Sequence, residues 1–424
     1  MSDKLQTLLK FRFYVLAASL TLVFVGSGSL FLVSVALKAL TVEFDWPRGV
    51  PALAFGMQFL GGGLGGLLMG YLLDRVGAVV LPIISACAIA TGSMLTVWVD
   101  SQYQFYAIYF VLFGFLGQGS LYAPLLANIS KWYERRRGMM IGIVSSGQSL
   151  SGIVWPPVFG FAITDVGWRN GFIGYGIFAA IVMLPLCLIL ARKPPSATDV
   201  ARAEALDDKD NDGKRRHARS SESRLTYLQF QMVLCAAIVG CCISMSLPLA
   251  HLVAHATDQG LPLTSAAGVL SATLFASFVT RVLIVGLLAD RIGGLWALLC
   301  FSGLQTIMVG LLTTADSVAL LYLIGIGFGL GYGGIFPVYA VIVREYMPPH
   351  EAGRRTGVVF LFGAAAMGLG SWMGGALFDA TGSYTVPFLI GVTTNAINLI
   401  IIGALITRNK PRDDGEGEAV PAAA

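Results

Sequence analysis

The sequence predicts an all-α membrane protein: twelve transmembrane helices arranged as two pseudo-symmetric six-helix bundles. Three observations carry that prediction. The 424 residues are 56% hydrophobic and only 12% charged, with a mean hydropathy of +0.74, whereas soluble domains carry roughly 25% charged residues. Apolar runs of about 20 residues, enough to cross a ~30 Å hydrocarbon core as helix, recur along most of the chain. An eight-residue pattern, GYLLDRVG from Gly70 to Gly77, returns as GLLADRIG from Gly286 to Gly293, so the chain reads as two related halves.

The spans follow in order. Span 1 covers 13–37; it is too long for the apolar stretch of a signal peptide and no A-x-A-like cleavage site follows, so it is read as a retained helix. Span 2 (50–71) follows the turn in EFDWPRG, and the first copy of the repeated pattern separates it from span 3 (79–99). Span 4 (104–130) runs into the basic loop KWYERRRG, which leads into span 5 (138–161), and GWRNGF leads into span 6 (169–191). The second half repeats the plan with span 7 (228–252), span 8 (264–288), span 9 (295–314), span 10 (318–343), span 11 (356–377) and span 12 (385–406). The second pattern copy falls between spans 8 and 9, and AGRRTG before span 11 matches ERRRG before span 5. The expected organisation is an N-terminal bundle over 1–191, a cytoplasmic linker over 192–227, a C-terminal bundle over 228–407 and a cytoplasmic tail over 408–424.

Charge sets the expected orientation. Of the 28 Lys and Arg residues, 24 fall on the side of the termini and only Lys38, Arg48 and Arg169 on the other. The positive-inside bias then places both termini in the cytoplasm of a multi-pass protein of the cell (inner or plasma) membrane. The net charge of +4 needs no nucleic-acid partner to explain it. The linker mixes nine bases with seven acids from Arg192 to Arg224 and is expected to be disordered. Its DKDNDG, Asp208 to Gly213, imitates the start of an EF-hand loop, but Arg219 stands where the twelfth-position Glu belongs, so no calcium site is expected. The six cysteines lie inside apolar spans without zinc spacing and read as small buried hydrophobes. No metal and no cofactor are expected.

One residue breaks the apolar pattern. Arg281 lies about nine residues, ~13 Å of helix, from the end of span 8 marked by Asp290. An arginine near mid-membrane costs about 2.5–3.5 kcal/mol on insertion scales and faces a cavity or a partner. The twelve spans hold no Asp or Glu at comparable depth, so an anion site is favoured over a structural ion pair. A guanidinium suits a carboxylate because its planar donors bind bidentately.

The two copies of G-x-L-x-D-R-x-G, after the second and eighth helices, resemble the signature of the major facilitator superfamily over the whole chain except linker and tail. EFDWPRG, KWYERRRGMMIGIVSSGQSLSG, GWRNGF and GRRTGVVFLFGAAAMGLGSWMGGALFDATGSY look like the bacterial monocarboxylate and oxalate/formate transporter group. The resemblance implies a secondary transporter working by alternating access, with Arg281 as partner of the substrate carboxylate. It also implies that Gly70, Asp74, Arg75 and Gly77, with Gly286, Asp290, Arg291 and Gly293, form cytoplasmic gate clips. Relatives that exchange dicarboxylates add a lysine in helix 11, which this chain lacks, so the expected cargo is a monocarboxylate, a lactate- or pyruvate-like or somewhat larger 2-hydroxy or 2-oxo acid. Arg281 precedes Gly286 by five residues, one more than in relatives, and Ser277 stands where proton-coupled members carry an aspartate.

Polar side chains from helices 1, 4, 5, 7 and 10 are expected to complete the pocket. Gln118 and Tyr122, four apart, share a face of span 4, and Tyr332 sits among the span 10 glycines. Ser27, Ser146 and Gln148 are further candidates; aromatic packing is the alternative reading for the tyrosines. Lys38, His251 and His255 are candidates for proton coupling or an outer gate, against a snorkelling lysine and polar helix-end caps. Expected partners are a small organic anion, the bilayer and protons, with the protein a monomer. Proton symport and anion exchange both remain open, and the alternative function is efflux of drugs or other organic anions. No HExxH, GxSxG or GxGD pattern occurs, so no catalytic residue and no enzyme are expected.

Overall fold

The computed structural model describes residues 2–133, 137–192, 225–315, 317–348 and 351–408. Among these residues every regular element is helical. Eleven helical spans are long and apolar enough to cross a membrane, and Val80–Thr96 is a shorter apolar helix. Spans 2, 3, 5 and 6 are Gly49–Val76, Val80–Thr96, Arg137–Val166 and Trp168–Ile189. Spans 7 and 9 to 12 are Tyr227–Asp258, Gly294–Leu311, Val318–Tyr346, Ala352–Thr381 and Thr385–Arg408. Span 7 runs six residues beyond its predicted end because nothing breaks the helix before Gly260, whose φ is +88°. The linker's calcium-like DKDNDG lies outside the described residues.

Three spans depart from one continuous α-helix. Span 1 breaks at Ser27 and Gly28 into Ser2–Gly26 and Ser29–Phe44. A Cβ on Gly28 would come within 2.9 Å of both Trp155 and Tyr175, so the break packs where only glycine fits. Carbonyls near it find side-chain donors: Trp155 Nε1 donates to Phe24 O (3.2 Å) and the Tyr175 hydroxyl to Val25 O (2.7 Å). This is how a kink survives in hydrocarbon. Span 4 is Gln102–Ala107, a wide π-helical segment Ile108–Gln118, then Gly119–Ile129. Span 8 is Leu263–Val279, a π-helical segment Thr280–Ile284, then Val285–Ile292. In both, the closing hydrogen bond reaches back five residues, Gly119 to Gly114 and Val285 to Thr280.

Spans 2 and 8 end in glycines of one conformation. Gly77 has φ +88°, ψ 166° and Gly293 has φ +86°, ψ 161°. Each caps its helix through an N–H bond to the residue four back, Leu73 or Ala289. A side chain would be strained at these φ values, which is why the repeated pattern ends in glycine.

Two seams join the first six spans to the last six. Along one, span 2 crosses span 11 backbone to backbone. A Cβ on Gly375 would lie 2.6 Å from Gly49 Cα, and one on Gly56 would lie 2.5 Å from Gly368 Cα. The Ser371 hydroxyl donates to Ala52 O (2.9 Å) between these contacts. Along the other, span 5 meets span 8 where Gly152 seats Leu274 and Gly160 seats Ala267. Small residues let helix backbones approach where no hydrophobic force drives them together. Farther along span 2 the seam ends: a Cβ on Gly70 would meet nothing within 4 Å. The seam is thus tight toward the Asp258 end of the bundle and loose toward the Gly77 end. Gly56→Ala should therefore lower the melting temperature by several degrees, from an overpacking cost of about 1–3 kcal/mol, while Gly70→Ala leaves it unchanged.

Cysteine packing corrects part of the sequence reading. Cys187, Cys235, Cys241 and Cys242 are buried, but Cys87 and Cys300 are exposed on the helix surface. Apolarity predicts membrane burial and does not distinguish a lipid-facing position from the helix core.

Candidate functional site

Between the seams lies a central cavity of about 250 Å³. Its walls are layered along the membrane normal. Toward the Asp258 end they are apolar: Phe31, Phe55, Leu249, Leu274 and Met367. A polar belt of Gln58, Gln118, Gln148 and Ser149 comes next, from spans 2, 4 and 5. Toward the Gly77 end stand Tyr122, Arg281 and Tyr332, with Phe336 and Phe360.

Arg281 occupies the π-helical segment of span 8. A π turn holds one more residue than an α turn, so the side chains before and after Thr280–Ile284 are rotated relative to those of an uninterrupted α-helix. Arg281 Nη2 donates to the Tyr332 hydroxyl (3.2 Å), and the guanidinium lies 5.3 Å from the Tyr332 ring centre. Tyr332 is itself stacked on Phe328, planes 5° apart. None of the described ion pairs involves Arg281, and its Nε has no hydrogen-bond partner. The arrangement is a half-buried cation steadied by a phenol, with donors still to be used.

The belt is anchored to the break in span 1. Gln118 Nε2 donates to Gly26 O (3.1 Å) and Ser29 Oγ (3.2 Å), and Gln58 Nε2 donates to Ser29 Oγ (3.0 Å). Broken helices beside a mid-membrane cavity are where transporters of several folds hold substrate. Gln58 escaped the sequence reading because a lone amide in a Gly-rich apolar span gives no periodic signal.

Other candidates sit elsewhere. Ser27 is fully buried at the break and Ser146 donates to its own helix at Ile143 O (2.7 Å); neither lines the cavity. The face of span 5 that does is Gln148 with Ser149. Ser277 is buried against span 10, where a Cβ on Gly333 would lie 2.5 Å from Ser277 O. The side chains of Asp74 and Asp290 and the surroundings of Gly286 lie outside the described residues. Arg75 donates to the Tyr71 hydroxyl (2.6 Å) on its own helix, and Arg291 is exposed.

At the Asp258 end a charged latch closes the cavity. Arg48, in the turn between spans 1 and 2, grips the Asp258 carboxylate with both terminal nitrogens, Nη1 to Oδ2 and Nη2 to Oδ1 (2.8 Å for the latter), and Lys38 adds a 3.1 Å contact. Asp379 of span 11 accepts the backbone N–H groups of Arg48 (2.8 Å) and Gly49 (2.9 Å). It caps the first turn of span 2, where backbone donors are unpaired and the helix dipole favours a negative charge. The guanidinium also lies 3.8 Å from the Phe378 ring centre and donates to the Tyr384 hydroxyl (3.0 Å). Burial works against the Arg48 charge, but the bonds to Asp258 and Tyr384 outweigh it and raise its pKa above the usual value. Burial, above all, raises the pKa of the Tyr384 phenol, which stays protonated.

His251 belongs to this latch and not to an exposed helix end. It is fully buried, its Nε2 2.8 Å from the carbonyl of Ser371 and its Nδ1 3.1 Å from the Tyr384 hydroxyl. A carbonyl only accepts, so Nε2 carries the hydrogen and Nδ1 of the neutral ring accepts from Tyr384. His255 contacts Gln259 (3.1 Å) and meets Tyr384 and Phe388 edge-on. Among the described residues no group of three or more His, Cys, Asp or Glu could hold a metal ion.

The chain matches the family model described as Major Facilitator Superfamily over residues 18–284 and 232–423. It is 28% identical over 323 residues to the MFS-type transporter pynF of Aspergillus niger, covering 75% of this chain and 69% of that relative. To Monocarboxylate transporter 13 of Rattus norvegicus it is 26% identical over 320 residues, 75% of this chain and 70% of the relative. Among solved structures, a D-xylose-proton symporter superposes with a TM-score of 0.73 at 14% identity, covering 94% of this chain and 98% of that one. A bacterial homolog of the human lysosomal transporter Spinster, inward-facing and occupied, gives 0.73 at 14%, covering 94% and 97%. At such identities the likeness concerns the fold alone.

Proposed function

The chain belongs to the major facilitator superfamily and is a membrane transporter, and from that premise we propose that it carries a small monocarboxylate, with Arg281 as the carboxylate's partner. The cargo is a lactate- or pyruvate-like acid or a somewhat larger 2-hydroxy or 2-oxo acid. The observation that carries this reading is the cation in the cavity wall: Arg281 has a phenol for company, unused donors and no carboxylate partner among the described ion pairs. One fixed positive charge suits one carboxylate, and the cavity face of span 11 adds only Phe360, Ala364 and Met367.

In this reading residues 1–191 and 228–407 are two bundles that rock about the site, joined by the linker 192–227 and followed by the tail 408–424. Both termini are cytoplasmic in a cell membrane, so the Arg48 latch is the outer gate and the loose Gly77 end faces the cytoplasm. The repeated turns, with Asp74–Arg75 and Asp290–Arg291, clip the inner side in the opposite state. Transport runs by proton symport or anion exchange.

The test is uptake of radiolabelled lactate and pyruvate into proteoliposomes, with and without an imposed pH gradient. Acceleration by inward acid supports symport, and dependence on internal carboxylate supports exchange. Absence of uptake under both conditions, with the protein folded, would overturn the reading. The Phe-rich wall favours a second reading, export of a larger amphipathic organic anion, which the same vesicles loaded with aryl carboxylates would reveal.

A further inference from the structure

We propose that His251 is the proton site of the Arg48 latch: a protonated ring there fits only the open form, so acid on that side opens the gate. The inference rests on the outer-gate reading of the latch and requires no particular cargo.

The ring is held within the last six spans. Its Nε2 donates to Ser371 O on span 11 (2.8 Å), and its Nδ1 accepts from the Tyr384 hydroxyl (3.1 Å). Span 11 makes room for it, since a Cβ on Gly374 would lie 2.7 Å from Nε2. The latch arginine comes from the other half, and the two meet at one atom. The Tyr384 oxygen accepts from Arg48 Nη1 (3.0 Å) while its hydrogen goes to His251. Donation therefore runs from Arg48 to Tyr384 to His251 to Ser371, each link fixing the direction of the next.

Protonation reverses the middle link. Both ring nitrogens of an imidazolium donate, so the Tyr384 oxygen would face two cationic donors and its own hydrogen would lose its acceptor. The surrounding charges do not repair this. On span 7, His255 lies one turn along, and Asp258 beyond it is held by Arg48 and by Lys38 of span 1. On span 11, Asp379 accepts the backbone N–H groups of Arg48 and Gly49. Among the described residues neither carboxylate bonds the ring, whereas the Arg48 guanidinium is linked to it through Tyr384.

Opening the latch removes the conflict. With Arg48 withdrawn, the Tyr384 oxygen accepts from the Nδ1 hydrogen and turns its own hydrogen to water, so both imidazolium donors are paired. A proton bound by one form alone shifts the equilibrium toward that form, by about tenfold per pH unit below the ordinary histidine value of ~6.5. His251 is fully buried while the latch is shut, so the proton enters as that end opens and holds it open. It returns to the same side, which makes the device a regulator of opening, distinct from symport.

The test follows the distance between spin labels at Val42 and Val386, exposed positions of spans 1 and 12. It uses the substrate-free full-length protein with the exposed Cys87 and Cys300 replaced by alanine. From about pH 7.5 to about pH 5.5 the ratio of open to closed forms is expected to rise about tenfold. His251→Gln offers Ser371 a donor but takes up no proton, so its ratio should stay at the neutral-pH value. Tyr384→Phe keeps the aromatic packing and cuts the link to Arg48, so it should weaken the response, and it serves if the glutamine variant does not fold. A flat profile with His251 and Tyr384 in place, or an undiminished response in either variant, overturns the inference. With no substrate present, these outcomes are separate from the carboxylate reading, which stands or falls on uptake. A pH-responsive latch without carboxylate uptake removes the cargo and keeps the gate; uptake with distances blind to pH does the reverse.

Discussion

Carboxylate uptake by Arg281→Ala is expected to fall at least ~100-fold, with the melting temperature of the unliganded protein unchanged or raised. The first effect follows from leaving an ionised carboxylate without its charge-assisted bonds inside a low-dielectric cavity, about 3 kcal/mol or more. The second follows from removing a half-buried cation whose described contacts are one hydroxyl and a ring face. Arg281→Lys should recover only part of the loss. An ammonium keeps the charge, but it is a point donor that cannot both hold Tyr332 and present a planar fork to the substrate. Uptake in proteoliposomes and melting of the same preparations measure both effects. Undiminished uptake by Arg281→Ala would end the anion-site reading.

Arg48→Ala is expected to open the end that the latch closes. One side chain joins the two halves through Asp258, Phe378 and Tyr384 at once. Removing it leaves the partly buried Asp258 carboxylate with Lys38 as its described cationic partner, at a cost of about 2 kcal/mol, which shifts the ratio of open to closed forms roughly 30-fold. Spin labels on the exposed Val42 and Val386 should then show a longer distance population that the parent protein lacks. Arg48→Lys should give an intermediate shift, because an ammonium keeps the charge beside Asp258 but cannot grip both carboxylate oxygens as the two guanidinium nitrogens do. An unchanged distance distribution in Arg48→Ala would mean that the glycine seam holds that end shut without the latch.

Much of the architecture is legible in the sequence because it depends on short-range pattern. Span length follows from bilayer thickness, and the halves follow from a repeated turn whose final glycine must take φ near +87°. Arg281 stands out because a charge at that depth needs a reason. The side chains Gln118, Tyr122, Gln148, Arg281 and Tyr332 that meet in the cavity wall are all identifiable from residue type and helix position. The glycine seam leaves a subtler signal: Gly49, Gly56, Gly63 and Gly70 recur every seventh residue along span 2, the spacing of one helix face.

Other features have no local signature. Arg48 and Asp258 are 210 residues apart, and Arg48 and Asp379 are 331 apart; each looks like an ordinary loop or helix-end charge until the halves meet. Ser277 is fully buried and Ser146 bonds its own helix because rotation about a helix axis is set by packing, which a polar residue within an apolar run does not report. The wide turns of spans 4 and 8 change that rotation partway along, so uniform 3.6-residue periodicity misplaces the residues beyond them.

Residue order alone establishes that this chain crosses a membrane many times and that a signature turn recurs in its two halves, and it singles out one cation within an apolar span. Those conclusions rest on solvent transfer and on helix geometry, which act residue by residue. It takes the assembled bundle to settle which carboxylate holds Arg48, which end of the cavity is shut, and that Gln58 and Gln118 meet at Ser29. Each of these depends on partners brought together from distant spans, and hydrogen-bond direction is set only when donor and acceptor meet.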